Sequence, residues 1–256
     1  MGSVISRLEG ADYGPVPTRA AVAVAGEVKT RPVLDGAERP ILLWMHRLGP
    51  GATLSWDRPV QDHLLFVWEG GVVAEGQPLG ANEAFVVEHG GTGQVTCGDV
   101  ASTVLHFHRP EDYPHPAPRG GGHTHLLAGA RVMRGWERKM AMGRTLFADA
   151  ACPTCEVWLH GSQLPPLWPV VPHYHTEDEI IVVTQGEIRL GRVGYGPGAV
   201  LAVDAETRYA FSSGEDGLSF INYRPASPVY VMADHSRPPQ DERALMLQGL
   251  ARSEPA

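Results

Sequence analysis

Cysteine, positive charge and long apolar runs are all scarce in this sequence. Its 256 residues include three cysteines, an odd number that does not suit a disulfide framework. With 21 Lys and Arg against 29 Asp and Glu, the formal net charge is −8, so a basic surface for nucleic acid is not expected. No apolar run approaches the roughly 18 residues of a membrane span, and the start of the chain lacks the apolar core of a signal peptide. We therefore expect a cytoplasmic protein that binds neither nucleic acid nor membrane.

Turn-forming residues and strand-forming segments are abundant instead. The chain has 30 Gly and 22 Pro, which favour turns over long helices. Between the turns lie segments rich in Val, Ile, Leu and aromatic residues, such as EIIVVTQGEIRLG at 179–191. We expect an all-β fold. The segment 240–250, QDERALMLQGL, indicates one short C-terminal helix, which would dock Leu245, Leu247 and Leu250 on a sheet.

Two parts of the sequence resemble each other at a nearly constant spacing. HLLFVWEGGV at 63–72 matches EIIVVTQGEI at 179–188, which lies 116 positions later. LWMHR at 43–47 matches VWLHG at 157–161, which lies 114 positions later. A spacing that drifts so little indicates an internal duplication of one all-β unit.

The division between the two copies is expected in a segment rich in proline and glycine. EDYPHPAPRGGGHTH, residues 111–125, has the composition of a linker. We therefore predict two domains, residues 1–115 and residues 116–256.

One stretch, VVPHYHTEDEIIVVTQGEIRLG at 170–191, combines residues that bind metals. Residues two apart on a strand face the same side, so His173 and His175 point together. Glu179 follows four residues later and begins the next apolar strand. In a barrel interior these side chains form a 2-His-1-carboxylate metal site; on a surface loop they are solvated residues.

The full pattern His-x-His-x3-Glu-x6-Gly, which ends at Gly186, resembles the first motif of the cupin superfamily. With the duplication, the chain resembles a two-domain cupin, a bicupin, over roughly residues 40–110 and 150–232. The resemblance implies two tandem cupin-type jelly-roll β-barrels. It also implies one divalent metal ion held by His173, His175 and Glu179, with Fe(II) favoured and Mn, Ni or Zn as alternatives.

The second cupin motif departs from the family pattern, because Tyr209 stands where the family has a third metal-binding histidine. Its phenol could bind the metal, donate a hydrogen bond in the site or only pack in the barrel. We predict Tyr209 as the catalytic residue. Around it, four side chains are predicted to line the pocket: His160, Trp168, Phe211 and Tyr223.

The first copy departs further from the motif. The spacing of 116 places Asp57, Pro59, His63 and Gly93 at the ligand positions, and proline and glycine side chains cannot bind metal. We therefore predict a degenerate, metal-free first domain, in which His106 and His108 share a strand face and could form an accidental metal site.

Cys152 and Cys155 form the sequence CPTC, which has the spacing of a redox pair or of half a zinc site. No second cysteine pair completes a zinc ribbon. We interpret the pair as two thiols near a turn.

The expected function is that of a metal-dependent enzyme for a small organic molecule. A dioxygenase-type oxygenase is the leading hypothesis. A redox-neutral isomerase, lyase or hydrolase and a non-catalytic metabolite-binding bicupin are the alternatives, because a fold alone does not set function. A homodimer is left open.

Overall fold

The protein is mostly β-structure in a computed structural model that describes residues 3–36, 40–113, 120–127, 131–132, 143–149 and 151–251. The first part of the chain contains β1 (Ser3–Arg7), the 3-10 helix Thr18–Ala20, β2 (Ala23–Ala25), β3 (Val28–Leu34), β4 (Leu42–Leu48), β5 (Thr53–Asp57), β6 (His63–Glu69), β7 (Gly71–Ala74), β8 (Gln77–Gly80), β9 (Ala84–Val87), β10 (Thr92–Cys97), β11 (Ser102–His108) and β12 (Thr124–Leu127). The second part contains β13 (Arg131–Val132), β14 (Gly143–Leu146), β15 (Trp158–Leu164), β16 (Pro169–His175), β17 (Glu179–Leu190), β18 (Val193–Tyr195), β19 (Ala199–Val203), β20 (Tyr209–Arg224), β21 (Val229–Met232), β22 (Gln240–Asp241) and helix α1 (Glu242–Ala251).

The chain forms two compact units, and each is discontinuous in sequence. We call them the N-unit, which comprises Gly10–Ala130 and Cys152–Cys155, and the C-unit, which comprises Met1–Glu9, Arg131–Ala151 and Glu156–Ala256. A single division between residues 115 and 116 does not capture this exchange of segments.

The N-unit contains two antiparallel sheets with an apolar core between their inner faces. One sheet has the strand order β2-β5-β10-β7-β8 and the other β12-β9-β6-β11-β4-β3. Both sheets supply fully or almost fully buried side chains to one cluster, among them Leu54 and Val95 from the first and Leu65 and Phe85 from the second. The alternation of inward and outward side chains along each strand produces this arrangement.

The C-unit contains one continuous sheet in the order β1-β19-β17-β20-β15-β14-β13, and β16 also pairs with β20. The β17–β20 pairing is interrupted by register shifts at Val183/Gln185 and Gly186/Ile188. Such bulges bend strands, so the long β17 and β20 can curve around the core. That core includes Ile181, Leu201 and Phe220.

Strand register tests the spacing between the two copies directly. In the N-unit His106 lies opposite Leu65 and Trp44, whereas in the C-unit Asn222 lies opposite Ile181 and His160. Each C-unit residue is 116 positions after its N-unit counterpart. The spacing of 114 between LWMHR and VWLHG was therefore wrong by two residues: His160 is the counterpart of Trp44, not of His46.

Helix α1 forms where it was predicted, but it docks through a different residue. Met246 is buried against a cluster that includes Trp158, while Leu245 and Leu247 are 41% and 37% exposed. The side chain of Leu250 lies outside the described residues. None of the described helices is long and apolar enough to cross a membrane.

The motif glycine Gly186 is required by its geometry. Its φ is +71°, and a Cβ there would lie 2.2 Å from the carbonyl oxygen of Gly217. Gly191 also has a positive φ, +62°, but a Cβ there would meet nothing within 4 Å. Both glycines therefore have a left-handed backbone conformation, but only Gly186 is closely approached by another backbone segment, at Gly217.

We expect Gly186→Ala to destabilise the protein by about 3 kcal/mol or more, because the methyl group adds a backbone clash to the left-handed strain. Gly191→Ala should cost only about 1–2 kcal/mol. Urea unfolding followed by tryptophan fluorescence would compare them. Equal losses in the two variants would contradict this role of Gly186.

Candidate functional site

The predicted metal ligands of the C-unit lie on consecutive strands, but among the described residues they are not one of the groups whose ligand atoms all lie within 4.8 Å of one another. His173 and His175 lie on β16, Glu179 begins β17, and all three are buried. The His173 and His175 rings are 5.1 Å apart between centroids, and His175 Nε2 lies 4.0 Å from Glu179 Oε2. Tyr209, paired with His173 across β16 and β20, has its ring centroid 4.5 Å from that of His173. We call these four residues and Arg224, described next, the C-unit site.

A buried arginine stands among these side chains. Arg224, at the end of β20, donates from Nη2 to His175 Nε2 and to Glu179 Oε2, both at 2.9 Å. Its Nη1 donates to Glu242 Oε2 at 2.7 Å. Asn222 Nδ2 donates to the same Glu179 oxygen at 2.8 Å. Burial opposes the charge of Arg224, but the carboxylates of Glu242 and Glu179 outweigh it and raise the pKa of the guanidinium. The site thus holds a permanent cation.

The hydrogen bonds determine the tautomers of both histidines. His173 Nδ1 donates to the carbonyl of Val171 at 2.8 Å, which leaves the Nε2 lone pair exposed to the site. Arginine can only donate, so His175 Nε2 is an acceptor and its proton is on Nδ1. Burial is the main reason why the pKa of each imidazole is lowered, so both rings are neutral at pH 7. Neutral imidazole is the form that binds metals.

Tyr209 faces Glu179 as an un-ionised phenol. Burial first, and then the negative charge of Glu179, raise the pKa of Tyr209 well above its usual value. The Tyr209 hydroxyl interacts with this carboxylate, and a hydrogen bond to Glu179 also contributes to the raised pKa of Tyr209. His175 Nδ1 lies 3.7 Å from Glu242 Oε2. The C-unit site therefore combines a proton donor with two buried carboxylates.

His160 lies close enough to Arg224 to respond to its charge. Burial and then the positive charge of Arg224 lower its pKa well below the usual value. Its Nδ1 accepts a hydrogen bond from Trp158 Nε1 at 2.9 Å. His160 is thus a neutral side chain beside the site.

The other three predicted pocket residues differ in position. Phe211 is stacked on Tyr209 with centroids 6.1 Å apart, and Trp168 packs, half-buried, against the C-unit core. Tyr223 follows Asn222 on β20, and neighbouring strand residues point to opposite faces. Tyr223 therefore lies on the opposite face from Asn222 and does not line the site.

Sequence reasoning missed Asn222, Arg224 and Glu242. The sequence contains a signal for two of them. With the spacing of 116, Asn222 and Arg224 are the counterparts of His106 and His108, which share a strand face. No local pattern connects Glu242, in the first turn of α1, with β20.

The N-unit contains a cluster of buried histidines at the counterpart positions. Ligand nitrogens of His63, His106 and His108 all lie within 4.8 Å of one another, which makes the cluster a candidate metal site. His46 extends it, and all four side chains are 0% exposed. The hydrogen bonds of the cluster are Thr30 Oγ1 to His46 Nδ1 (2.7 Å), His46 Nε2 to His106 Nδ1 (3.0 Å), His106 Nε2 to His63 Nδ1 (2.9 Å), His63 Nε2 to Glu111 Oε1 (3.2 Å) and Trp44 Nε1 to His108 Nε2 (3.0 Å).

The expectation of a metal-free first copy rested on the motif positions alone. Of these, Asp57 is exposed, and Gly93 is packed so closely that a Cβ would lie 2.6 Å from a methyl carbon of Val87. Only His63 contributes to the cluster, where two histidines from β11 join it. The N-unit therefore has a histidine-rich candidate metal site that the motif positions alone do not reveal.

Comparisons with known proteins place this fold among cupin-type structures. No protein-family model matches the sequence, and no curated protein matches it. A cupin 2 conserved barrel domain protein from Leptotrichia buccalis aligns with a TM-score of 0.51 at 8% identity, over 78% of this chain and 89% of that one. Oxalate decarboxylase from Lactobacillus farciminis, solved as a formate complex, aligns with a TM-score of 0.59 at 12% identity, over 84% and 88%. A candidate dioxygenase from Nostoc punctiforme aligns with a TM-score of 0.58 at 10% identity, over 86% and 79%. At such identities the likeness shows the fold alone.

The buried histidines of the N-unit make stability depend on pH. Burial lowers the pKa of His46 to about 3 and lowers those of His63, His106 and His108. Below pH about 6.5 the unfolded chain binds protons that the folded chain does not, so stability is lost as pH falls. Each such histidine adds up to about 1.4 kcal/mol per pH unit to the slope.

We expect the free energy of unfolding to fall steeply between pH 6.5 and pH 5, and His46→Gln to reduce that slope by about one proton. His235→Gln, which changes an exposed histidine, is the matched control and should leave the slope unchanged. Urea titrations across this pH range measure both. An unchanged slope in His46→Gln would contradict the account.

Proposed function

We propose that the chain is a metal-dependent bicupin enzyme for a small organic molecule, with one divalent ion held in the C-unit by His173, His175 and Glu179. The observation that carries the proposal is the state of this donor set. Two buried imidazoles are neutral, the Nε2 lone pair of His173 is directed by the Nδ1 bond to a backbone carbonyl, and Glu179 supplies a buried carboxylate beside His175. A second partner on the far ring nitrogen is typical of metal-binding histidines.

Arg224 is the group that a metal ion must displace. Its Nη2 now donates to His175 and Glu179, while Nη1 is bound separately to Glu242. The guanidinium can give up the first two contacts and keep the third. A metal ion bound by this donor set would therefore compete with Arg224.

Two reaction classes use such a site. Bound there, Fe(II) would supply open positions for substrate and O2, and Mn, Ni or Zn would act as a Lewis acid. We favour a dioxygenase-type oxygenase, because a 2-His-1-carboxylate set is typical of non-haem Fe(II) oxygenases. The candidate dioxygenase of similar fold agrees with this class, and oxalate decarboxylase represents the redox-neutral alternative. In either class Tyr209 donates a hydrogen bond to the substrate, and Phe211 packs beside it and excludes water.

Arg224 also favours a second candidate function. If its Nη2 contacts persist, the C-unit site has its own resident cation, and the protein binds a metabolite without catalysis. Metal content separates the two candidates.

We expect His175→Ala to lose one metal equivalent per chain relative to wild type, because it removes one of three ligands. Elemental analysis of purified protein provides the measurement. His235→Ala, an exposed histidine of the same unit, should lose none. Identical metal content in His175→Ala and wild type would favour the non-catalytic candidate. Loss of that metal in His63→Ala instead would assign it to the N-unit cluster.

We expect Tyr209→Phe to keep the metal and lose turnover by on the order of 10²-fold, the scale of one positioned acid–base group. Tyr223→Phe is the matched control. It also removes a tyrosine hydroxyl from β20, but on the strand face that points away from the site, and it should retain turnover. Oxygen uptake and product formation with a panel of small organic acids measure both. Unchanged turnover in Tyr209→Phe would assign the residue to packing, and loss of metal would make it a ligand.

A further inference from the structure

The turn at 152–155, CPTC, belongs to the N-unit and brings two thiols to a buried carboxylate. Strands β9 and β12 pair so that His125 lies opposite Val86. On β9, Phe85 and Val87 belong to the N-unit core. Because side chains alternate, Val86 and the residue after the strand, Glu88, point to the other face. Glu88 and His125 therefore lie side by side there, where the turn approaches them.

The distances define a compact group of four potential ligands. His125 Nε2 lies 2.7 Å from Glu88 Oε1. One ligand atom each from Glu88, His125 and Cys155 lie within 4.8 Å of one another. Cys152 Sγ lies 3.7 Å from the same Glu88 oxygen. In a tetrahedral zinc site, bond lengths of about 2.0–2.3 Å separate the ligand atoms by about 3.3–3.8 Å. Cys152 Sγ already lies within this range of Glu88, and the ligand atoms of the other three residues lie within 4.8 Å of one another.

Two further contacts hold the carboxylate and the turn in place. Thr154 Oγ1 lies 3.0 Å from each oxygen of Glu88. Gly120, with φ +123°, approaches the turn so closely that a Cβ would lie 2.7 Å from Thr154 Cγ2. The turn is thus seated against this face by packing as well as by polar contacts.

The charge of Glu88 also points to a cation. Its side chain is 0% exposed, and a buried carboxylate is costly unless it is paired. Among the described residues, Glu88 can form an ion pair with His125, but this imidazole is charged only when it is protonated. All three cysteines of the chain are outside disulfides. A divalent ion would compensate Glu88 at neutral pH without requiring a protonated imidazole.

We propose that Glu88, His125, Cys152 and Cys155 form a zinc site that fastens the 152–155 turn to the N-unit. Thiolate, imidazole and carboxylate are the ligands zinc uses, and thiolates select it over magnesium or calcium. Four protein ligands leave no open position, so the site is structural. Binding releases the thiol protons, and the affinity rises with pH. The site is independent of the barrel interior and of the function proposed for the C-unit.

Cobalt(II) titration of the reduced, metal-depleted protein tests the proposal, because thiolate ligands give a near-ultraviolet charge-transfer band that a His–carboxylate site lacks. We expect this band to saturate at one equivalent and to disappear on zinc addition. Cys155→Ser and Cys152→Ser should weaken zinc binding by at least about 100-fold, and Thr154→Val, which removes a hydrogen bond to a ligand, by about 10-fold.

Cys97→Ser is the matched control. It removes a buried thiol of the same unit that donates to the backbone carbonyls of Leu48 and Val100, and it should retain the band. Absence of the band in wild type, or an equal loss in Cys97→Ser, would overturn the assignment. If Cys155→Ser does not fold, Cys152→Ser and Thr154→Val decide: unchanged zinc affinity in both would also overturn it.

Discussion

One buried cation organises the C-unit site. The guanidinium of Arg224 is 2% exposed and joins the end of β20 to the start of β17 through Glu179 and to the start of α1 through Glu242. A buried charge is tolerated only with such partners, and removing one partner leaves the other uncompensated. This single side chain therefore fixes the orientation of Glu179 and the tautomer of His175. It also holds the start of the C-terminal helix in position. A metal ion bound by His175 and Glu179 would have to replace two of its contacts.

The N-unit meets the same constraint in another way. At the positions of Glu179, Asn222 and Arg224 it has His63, His106 and His108, and burial keeps these imidazoles neutral. Each ring can then donate from one nitrogen and accept at the other, so a chain of hydrogen bonds needs no buried ion. The corresponding positions of the two units thus carry an ionic network in the C-unit and, in the N-unit, a chain of neutral imidazoles that ends at the carboxylate of Glu111.

The features that could be predicted are those that depend on residues close together in the sequence. The His-x-His-x3-Glu-x6-Gly spacing identified buried residues of two consecutive strands, of which His175 and Glu179 approach to 4.0 Å, and strand composition predicted the all-β fold. Glu242 was not predictable, because its partner lies on a different element and no periodicity connects them. Gly186 was recognisable as a motif residue, whereas the approach of Gly217 that requires it appears only in three dimensions. The cysteine pair looks incomplete in the sequence, because Cys97 is the one other cysteine of the chain. The residues that complete its surroundings are a glutamate and a histidine from paired strands.

Strand β1 is synthesised long before the strand with which it pairs. Strand β1 pairs with β19, Ser3 opposite Val203, so its partner is made about 200 residues later. At translation rates of about 5–20 residues per second, that delay is on the order of 10–40 s. Throughout this time β1 is an unpaired strand, and β19 has an open edge until β1 arrives. The C-unit sheet is therefore completed late in synthesis, after the N-unit strands have been made.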